Sequence, residues 1–126
     1  MDGQSTRCTQ AANIAAQKGM LVIVAAGNEG DNSWHYISAP SDAADIITVG
    51  AVDQYDGIAK FSSWGPTADG RIKPEVCARG YQTAVINTMN SSVVYGSGTS
   101  FACPIIAGLA ACLWSALPEA SNMEIR

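Results

Sequence analysis

The chain has 126 residues, of which 48% are hydrophobic and 14% charged, a composition typical of one globular domain and not of a disordered chain. Its formal net charge is -4, and its lysines and arginines are scattered from Arg7 to Arg126, which argues against a nucleic-acid partner. No uninterrupted apolar run reaches the roughly 18 residues of a spanning helix, and Met1 to Gln4 lacks the pattern of a signal peptide. We therefore expect no membrane segment.

The first half of the chain has an α/β pattern. An alanine-rich helix is predicted over residues 5–18, with Gly19 as its stop. The apolar run from Met20 to Ala26 predicts a strand buried on both faces of a parallel sheet, and residues 46–52 predict a second one. Open α/β sheets bind their ligands at the carboxyl ends of such strands, which makes Asn28, just after the first strand, a candidate site residue.

The second half is predicted to contain loops, short strands and one long helix. Residues 53–72 are expected to form a loop with Phe61 and Trp64 as apolar anchors. An apolar, alanine-rich segment from Thr99 to Leu117 predicts a long and nearly fully buried helix, with Pro104 in about its first turn. Short strands are predicted over residues 73–78, 83–86 and 91–95.

Both ends of the chain suggest a larger domain. Ser121 and Glu124 have the spacing of a capping box, which opens a helix, yet the sequence stops at Arg126. The first predicted helix begins almost at Met1, without an earlier strand to complete the parallel sheet. We interpret the chain as the C-terminal portion of a larger α/β domain, truncated at both ends.

Cysteines and acidic residues give no metal site. The four cysteines form no C-x-x-C pair, and His35, the single histidine, has no cysteine at metal-ligand spacing. Buried free thiols are the expectation, with disulfides as the alternative. The loop aspartates lack the spacing of a calcium loop, so no metal or cofactor is assigned, although calcium stays possible in an intact domain.

Ser100 and Asn28 each have an ordinary explanation when taken alone. Asn28 lies in an N-x-G sequence that favours turns, and Ser100 or Thr99 could be the N-cap of the long helix. A catalytic explanation is also open, because a serine at a helix start gains from the N–H groups and dipole there. Such a serine needs a base to remove its proton and an oxyanion hole to receive negative charge.

Four sequence blocks, in this order and spacing, resemble the subtilisin-like serine proteases (subtilases, peptidase S8 type): GMLVIVAAGNEG at 19–30, IITVGAV at 46–52, FSSWGP at 61–66 and GSGTSFACPIIAG at 96–108. The resemblance implies a three-layer αβα fold with a mainly parallel sheet. It implies that Ser100 is the nucleophile and that Asn28 is the side-chain donor of the oxyanion hole. It also implies that Ala25, Ala26 and Gly27 form one wall of the pocket for the residue before the scissile bond.

The resemblance also shows what this chain lacks. Subtilisins carry their triad in the order Asp, His, Ser, so both missing members should precede Asn28. No histidine lies before Asn28, Asp2 is in a predicted turn, and His35 follows in a loop, so neither Asp2 nor His35 is expected to be catalytic. We therefore expect a fragment of a serine endopeptidase that acts on protein or peptide substrates but is inactive alone.

Two alternatives belong to other classes. A non-catalytic pseudoprotease or α/β binding module would keep the fold without the reaction. An α/β-hydrolase is excluded, because Ser100 lies in G-T-S-F-A rather than G-x-S-x-G and no histidine follows it. By resemblance the intact protein would be secreted or attached to the cell envelope. An open edge at residues 21–26 predicts self-association of the truncated chain.

The sequence departs from the family pattern at a few positions. Phe101 and Cys103 replace other residue types after the nucleophile, and Ile105 stands where the family often has a histidine outside the triad. Ala78-Arg79-Gly80 replaces an A-P-G sequence, which puts the geometry of that turn in doubt.

Overall fold

A parallel sheet of three strands in the order β1-β2-β3 forms the centre of the fold. The computed structural model describes all residues, 1–126. Ile23 lies opposite Ile47, and Val49 lies opposite Val76, which sets the register of the two strand pairs. The elements, in chain order, are α1 (Arg7–Gln17), β1 (Ile23–Ala25), β2 (Ile47–Val52), β3 (Val76–Arg79), β4 (Thr83–Ile86), β5 (Val93–Gly96), α2 (Thr99–Ala116) and α3 (Asn122–Ile125).

Helices cover the two faces of this sheet, because successive side chains of a strand point to opposite sides. On one face Val22 and Val24 pack in the cluster that contains Ala12 of α1. On the other face Leu21 and Ile23 pack in the cluster that contains Ala102 of α2. The predicted αβα layering is confirmed.

The central strand matches its prediction and the edge strand does not. The first five residues of β2 are buried, as a strand covered on both faces requires. The predicted seven-residue first strand is wrong in length and burial: β1 has three residues, all half-buried. The physical reason is that β1 pairs with β2 alone, so its other edge has no neighbour.

The prediction that the long helix is nearly fully buried is also wrong. Only Thr99, Ala102 and Ala110 of its 18 residues are buried, although the helix packs against all three strands. Pro104 lies inside the helix rather than in its first turn, so the carbonyl of Ser100 has no i+4 donor. By length and composition alone α2 could cross a membrane.

Some of the remaining predictions are confirmed and others are wrong. The short strands are confirmed, with β4 and β5 forming an antiparallel hairpin, and the capping box of Ser121 and Glu124 opens α3. The cysteines are free, but the predicted burial is wrong, since Cys103 is half-buried and the others are exposed. Trp64 is 45% exposed and so does not anchor the loop as predicted, whereas Phe61 packs against the core.

Candidate active site

Asn28 and Thr99 meet at the carboxyl end of β1, although 71 positions separate them. The main-chain N–H of Thr99 donates to Asn28 Oδ1 over 2.9 Å, and Thr99 Oγ1 lies 3.0 Å from the same oxygen. Both contacts use the amide oxygen, so the amide nitrogen Nδ2 is turned the other way. The start of α2 therefore fixes which side of the Asn28 amide is free to donate.

Two hydrogen-bond donors remain unused beside this contact. Asn28 Nδ2 lies 3.6 Å from the position that a Cβ on Gly98 would occupy, two residues before Ser100. The main-chain N–H of Ser100 is in the first turn of α2, where no intrahelical acceptor exists, and it makes no other hydrogen bond. An amide N–H and a helix N-terminus together favour a negatively charged oxygen.

Hydrogen bonds to Ser63 stabilise the turn that carries Asn28. Ser63 N donates to Gly27 O over 3.0 Å, and Glu29 N donates to Ser63 Oγ over the same distance. Gly27 has φ +111°, and a Cβ there would lie 2.9 Å from Ser63 Oγ. Glycine is therefore required at this position, both for its backbone angle and for the close approach.

The predicted pocket wall lies beneath this turn. Ala25 and Gly27 are half-buried, whereas Ala26 is fully buried, and its main chain bonds to Val49 O and Ser38 N. The side chain of Ala26 thus lies in the protein interior behind the predicted wall, and only Ala25 and Gly27 reach the surface. Their contact with substrate stays a prediction.

The Ser100 hydroxyl is exposed and has no hydrogen-bond partner in the chain. His35 does not serve it: its ring stacks on Trp64 at a centroid distance of 4.3 Å and contacts Tyr36 at 4.1 Å. Asp2 accepts the N–H groups two and three residues further along, as the carboxylate of an N-terminal turn. No basic side chain of the 126 residues therefore hydrogen-bonds to the Ser100 hydroxyl.

The residues that depart from the family pattern fit around this site. Burial raises the pKa of the half-buried Cys103 thiol, so it is neutral at neutral pH and does not compete as a nucleophile. The Phe101 ring fills the space beside Gly96, where a Cβ would lie 2.5 Å from it. Ala78 and Arg79 end β3 rather than forming a turn, and Gly80 N donates to Val52 O while Gly80 O accepts from Gly98 N, which joins the end of β3 to the approach to α2.

The structure groups no three His, Cys, Asp or Glu side chains that could hold a metal ion. It brings Asn28 into contact with Thr99, the residue before Ser100, and so gives Thr99 a role that the sequence did not indicate. Thr99 was considered only as a helix cap, but the N-cap is Gly98, which has no side chain, and the first N–H of α2 donates instead to Asn28 Oδ1. A contact across 71 positions leaves no local signal that could have revealed it.

A helix-start serine beside an oriented asparagine amide, at the carboxyl end of a parallel sheet, is typical of the subtilisin class of proteins. The family comparison agrees with that class. A model described as "Subtilase family" matches residues 1–126. The chain belongs to the subtilase family.

Curated relatives support the same placement. The chain is 40% identical to the thermophilic serine proteinase of Bacillus sp. (strain AK1), over 99% of this chain and 28% of that protein. It is 34% identical to the serine protease AprX of Bacillus subtilis (strain 168), over 98% of this chain and 32% of that protein. The chain thus spans less than a third of the length of these two relatives.

Solved structures share the fold. The self-cleaved protease domain of PatA superposes with a TM-score of 0.78 at 26% identity, over 98% of this chain and 46% of that one. The S41 psychrophilic protease gives a TM-score of 0.78 at 33% identity, over 99% of this chain and 43% of that one. A structure of the PatG macrocyclase in complex with peptide is also similar, with a TM-score of 0.71 at 26% identity over 84% of this chain and 30% of that one.

Proposed function

We propose that this chain carries the nucleophile and the oxyanion hole of a subtilisin-like serine endopeptidase. The observation that supports this function best is the contact of Asn28 Oδ1 with Thr99, which turns Nδ2 outwards beside the free N–H of Ser100. Protein or peptide would be the substrate, as peptide is the ligand named for the similar PatG macrocyclase structure.

In the proposed reaction Ser100 Oγ attacks the carbonyl carbon of a peptide bond, while a base takes the hydroxyl proton. The carbonyl oxygen becomes an oxyanion that accepts from Asn28 Nδ2 and from the main-chain N–H of Ser100. The proton then passes to the leaving amine, and water releases the acyl group in a second, equivalent cycle. These steps require no cofactor.

The isolated chain should be inactive, because it holds no base for Ser100. A fluorophosphonate probe, which reacts with activated serines, should label the chain only slowly. Added imidazole supplies a diffusible base and should raise the labelling rate in the unmodified chain but not in Ser100→Ala. Rapid labelling without imidazole would show that the chain does contain a base.

Asn28→Ala tests the oxyanion hole in the same assay. The imidazole-dependent rate should fall, and the scale is set by subtilisin itself, where loss of the corresponding asparagine lowers turnover by about 10²–10³-fold. That figure was measured on a family member and does not come from this structure. An unchanged rate in Asn28→Ala would refute the role of Asn28.

A non-catalytic module is the second candidate, and the unpartnered Ser100 hydroxyl is the observation in its favour. The gene sequence upstream of the codon for Met1 separates the two. A strand-end aspartate motif and an H-G-T motif there would support the enzyme, whereas a reading frame with neither would support the binding module.

We further propose that the isolated chain self-associates and that the intact protein is secreted or attached to the cell envelope, as the family resemblance implies. The outward stripe of α2 and its C-cap residue expose several large apolar side chains: Ile105, Leu109 and Leu113 on the helix and Leu117 at the C-cap. Exposed apolar patches of this kind favour association in water. Light scattering at micromolar concentration should show a dimer or a larger species, and a monodisperse monomer would refute the proposal.

A further inference from the structure

The loop that joins β4 to β5 contains the tripeptide Asn90-Ser91-Ser92. An asparagine two residues before a serine or threonine, with any residue except proline between them, is the acceptor sequence for an N-linked oligosaccharide. Of the asparagines in this sequence, only Asn90 has a hydroxyl residue two positions later. Such a tripeptide also occurs by chance, so its role depends on where the fold places it.

The fold places this tripeptide at the exposed tip of a hairpin. β4 and β5 run antiparallel, and the pair of Ile86 and Val93 is the last one before the loop. Every residue from Thr88 to Tyr95 is exposed. An enzyme that must surround the acceptor asparagine can therefore reach this loop without unfolding the chain.

Hydrogen bonds give the loop a defined shape although it is exposed. Asn87 N donates to Ser92 O, and Ser91 N donates to Asn87 O, both over 2.8 Å. Met89 N donates to Asn87 Oδ1 over 2.9 Å. Ser91 has φ +57°, in the left-handed region, and this turn brings the side chains on either side of it together.

The hydroxyl residue of the tripeptide orients the Asn90 amide. Ser92 Oγ donates to Asn90 Oδ1 over 2.8 Å, and Ser92 N donates to the same oxygen over 3.1 Å. Both contacts use the amide oxygen, so the amide nitrogen Nδ2 is turned the other way and has no hydrogen-bond partner in the chain. Nδ2 is the atom to which an N-linked sugar is attached.

The hairpin also has an apolar surface beside this site. Ile86 and Val93 lie opposite each other and Tyr95 lies two positions further along β5, so the three side chains share one face, and all are exposed. Met89, next to Asn90, is 91% exposed. A two-stranded sheet with an exposed apolar face and open edges favours association with other chains. A bulky, hydrophilic oligosaccharide on Asn90 would shield this face.

We propose that Asn90 is the acceptor of an N-linked oligosaccharide. In the transfer, Asn90 Nδ2 bonds to C1 of the first sugar of a lipid-linked oligosaccharide diphosphate. The bond from C1 to the diphosphate oxygen breaks, the lipid diphosphate leaves with the bonding electrons, and a base of the transferase takes the proton that Nδ2 loses. Modification in the cell rests on the export proposed above, whereas the acceptor geometry does not.

The experiment uses the purified, folded chain, so that its result is independent of export. The chain is incubated with an oligosaccharyltransferase and a lipid-linked oligosaccharide, and the products are digested and mapped by mass spectrometry. One oligosaccharide should be found, on Asn90. An amidase that releases N-linked oligosaccharides should then leave aspartate at this position.

Two variants of Ser92 test the geometry. Ser92→Ala removes the hydroxyl that donates to Asn90 Oδ1 and should slow the transfer by at least about tenfold, the rate equivalent of about one hydrogen bond. Ser92→Thr keeps a hydroxyl and should keep the transfer. Since Ser92 is exposed, both variants should fold like the parent chain, which circular dichroism checks.

Asn32 is a control within the same chain. It is exposed and followed by Ser33, but Trp34 stands where the second hydroxyl residue is needed, and Asn32 Nδ2 donates to Glu29 Oε2. Asn32 should therefore stay unmodified.

Three results would overturn the proposal. They are no transfer to Asn90, transfer only after the chain is unfolded in urea, and an unchanged rate in Ser92→Ala. Equal modification of Asn32 and Asn90 would overturn it as well, because the tripeptide would then not select the site. The proposed catalytic function can fail without changing any of these results, since Ser100 takes no part in the transfer.

Discussion

The hydroxyl of Thr99 should contribute measurably to stability, because it joins the start of α2 to the turn after β1. Thr99 is fully buried, and its Oγ1 lies 3.0 Å from Asn28 Oδ1 and 3.3 Å from both Gly27 N and Gly27 O. Thr99→Val keeps the shape but removes these hydrogen bonds. One lost hydrogen bond costs about 1 kcal/mol, and a donor left without a partner adds about 1–3 kcal/mol when it is buried. Since Gly27 is only half-buried, we expect a total loss of about 2 kcal/mol.

Urea unfolding followed by circular dichroism measures this loss. Thr99→Ser keeps the hydroxyl and removes one methyl group, so it should cost about 1 kcal/mol. Thr88→Val, at an exposed threonine whose hydroxyl makes no hydrogen bond, should change stability by less than about 0.5 kcal/mol. If Thr99→Val unfolded at the same urea concentration as Thr99→Ser, the hydroxyl would not hold Asn28 in place and the reasoning would be wrong.

Three further predictions use the same structure. Gly27→Ala should destabilise the chain by about 1–3 kcal/mol in urea unfolding, because of its positive φ and the 2.9 Å approach to Ser63; a smaller loss than in Gly70→Ala, which has a positive φ but open space, would contradict this. The ammonium of Lys73 is buried and lies 2.8 Å from Glu75 Oε1. Glu75→Gln should therefore destabilise the chain by about 1–2 kcal/mol more than Lys73→Met, since only Glu75→Gln leaves a buried ammonium without its partner charge. Equal losses of stability in the two variants would contradict this prediction. Two main-chain N–H donors lower the pKa of Asp2 to about 2. The contribution of the ionised Asp2 carboxylate to stability should therefore be present above about pH 4 and lost as the pH falls through about 2. An NMR titration midpoint of Asp2 near 3.8 would contradict this prediction.

The sequence determined the family, the types of most elements and two candidate site residues. Hydrophobic runs predicted β2 as a buried strand, since a strand covered on both faces must be apolar throughout. The capping box of Ser121 and Glu124 predicted the start of α3, because that motif acts within four residues. Ser100 and Asn28 were found by the resemblance of their flanking blocks, and the absence of a histidine before Asn28 followed from counting.

The tertiary structure decided what depends on neighbours distant in sequence. An apolar strand or helix is buried only if another element covers it, so the same pattern that predicted burial gave a half-buried β1 and a largely exposed α2. The orientation of the Asn28 amide depends on Thr99, 71 positions away, through contacts that no local pattern records. The sequence thus predicted the nucleophile and its oxyanion partner, while the fold alone showed how the Asn28 amide is oriented at the start of α2.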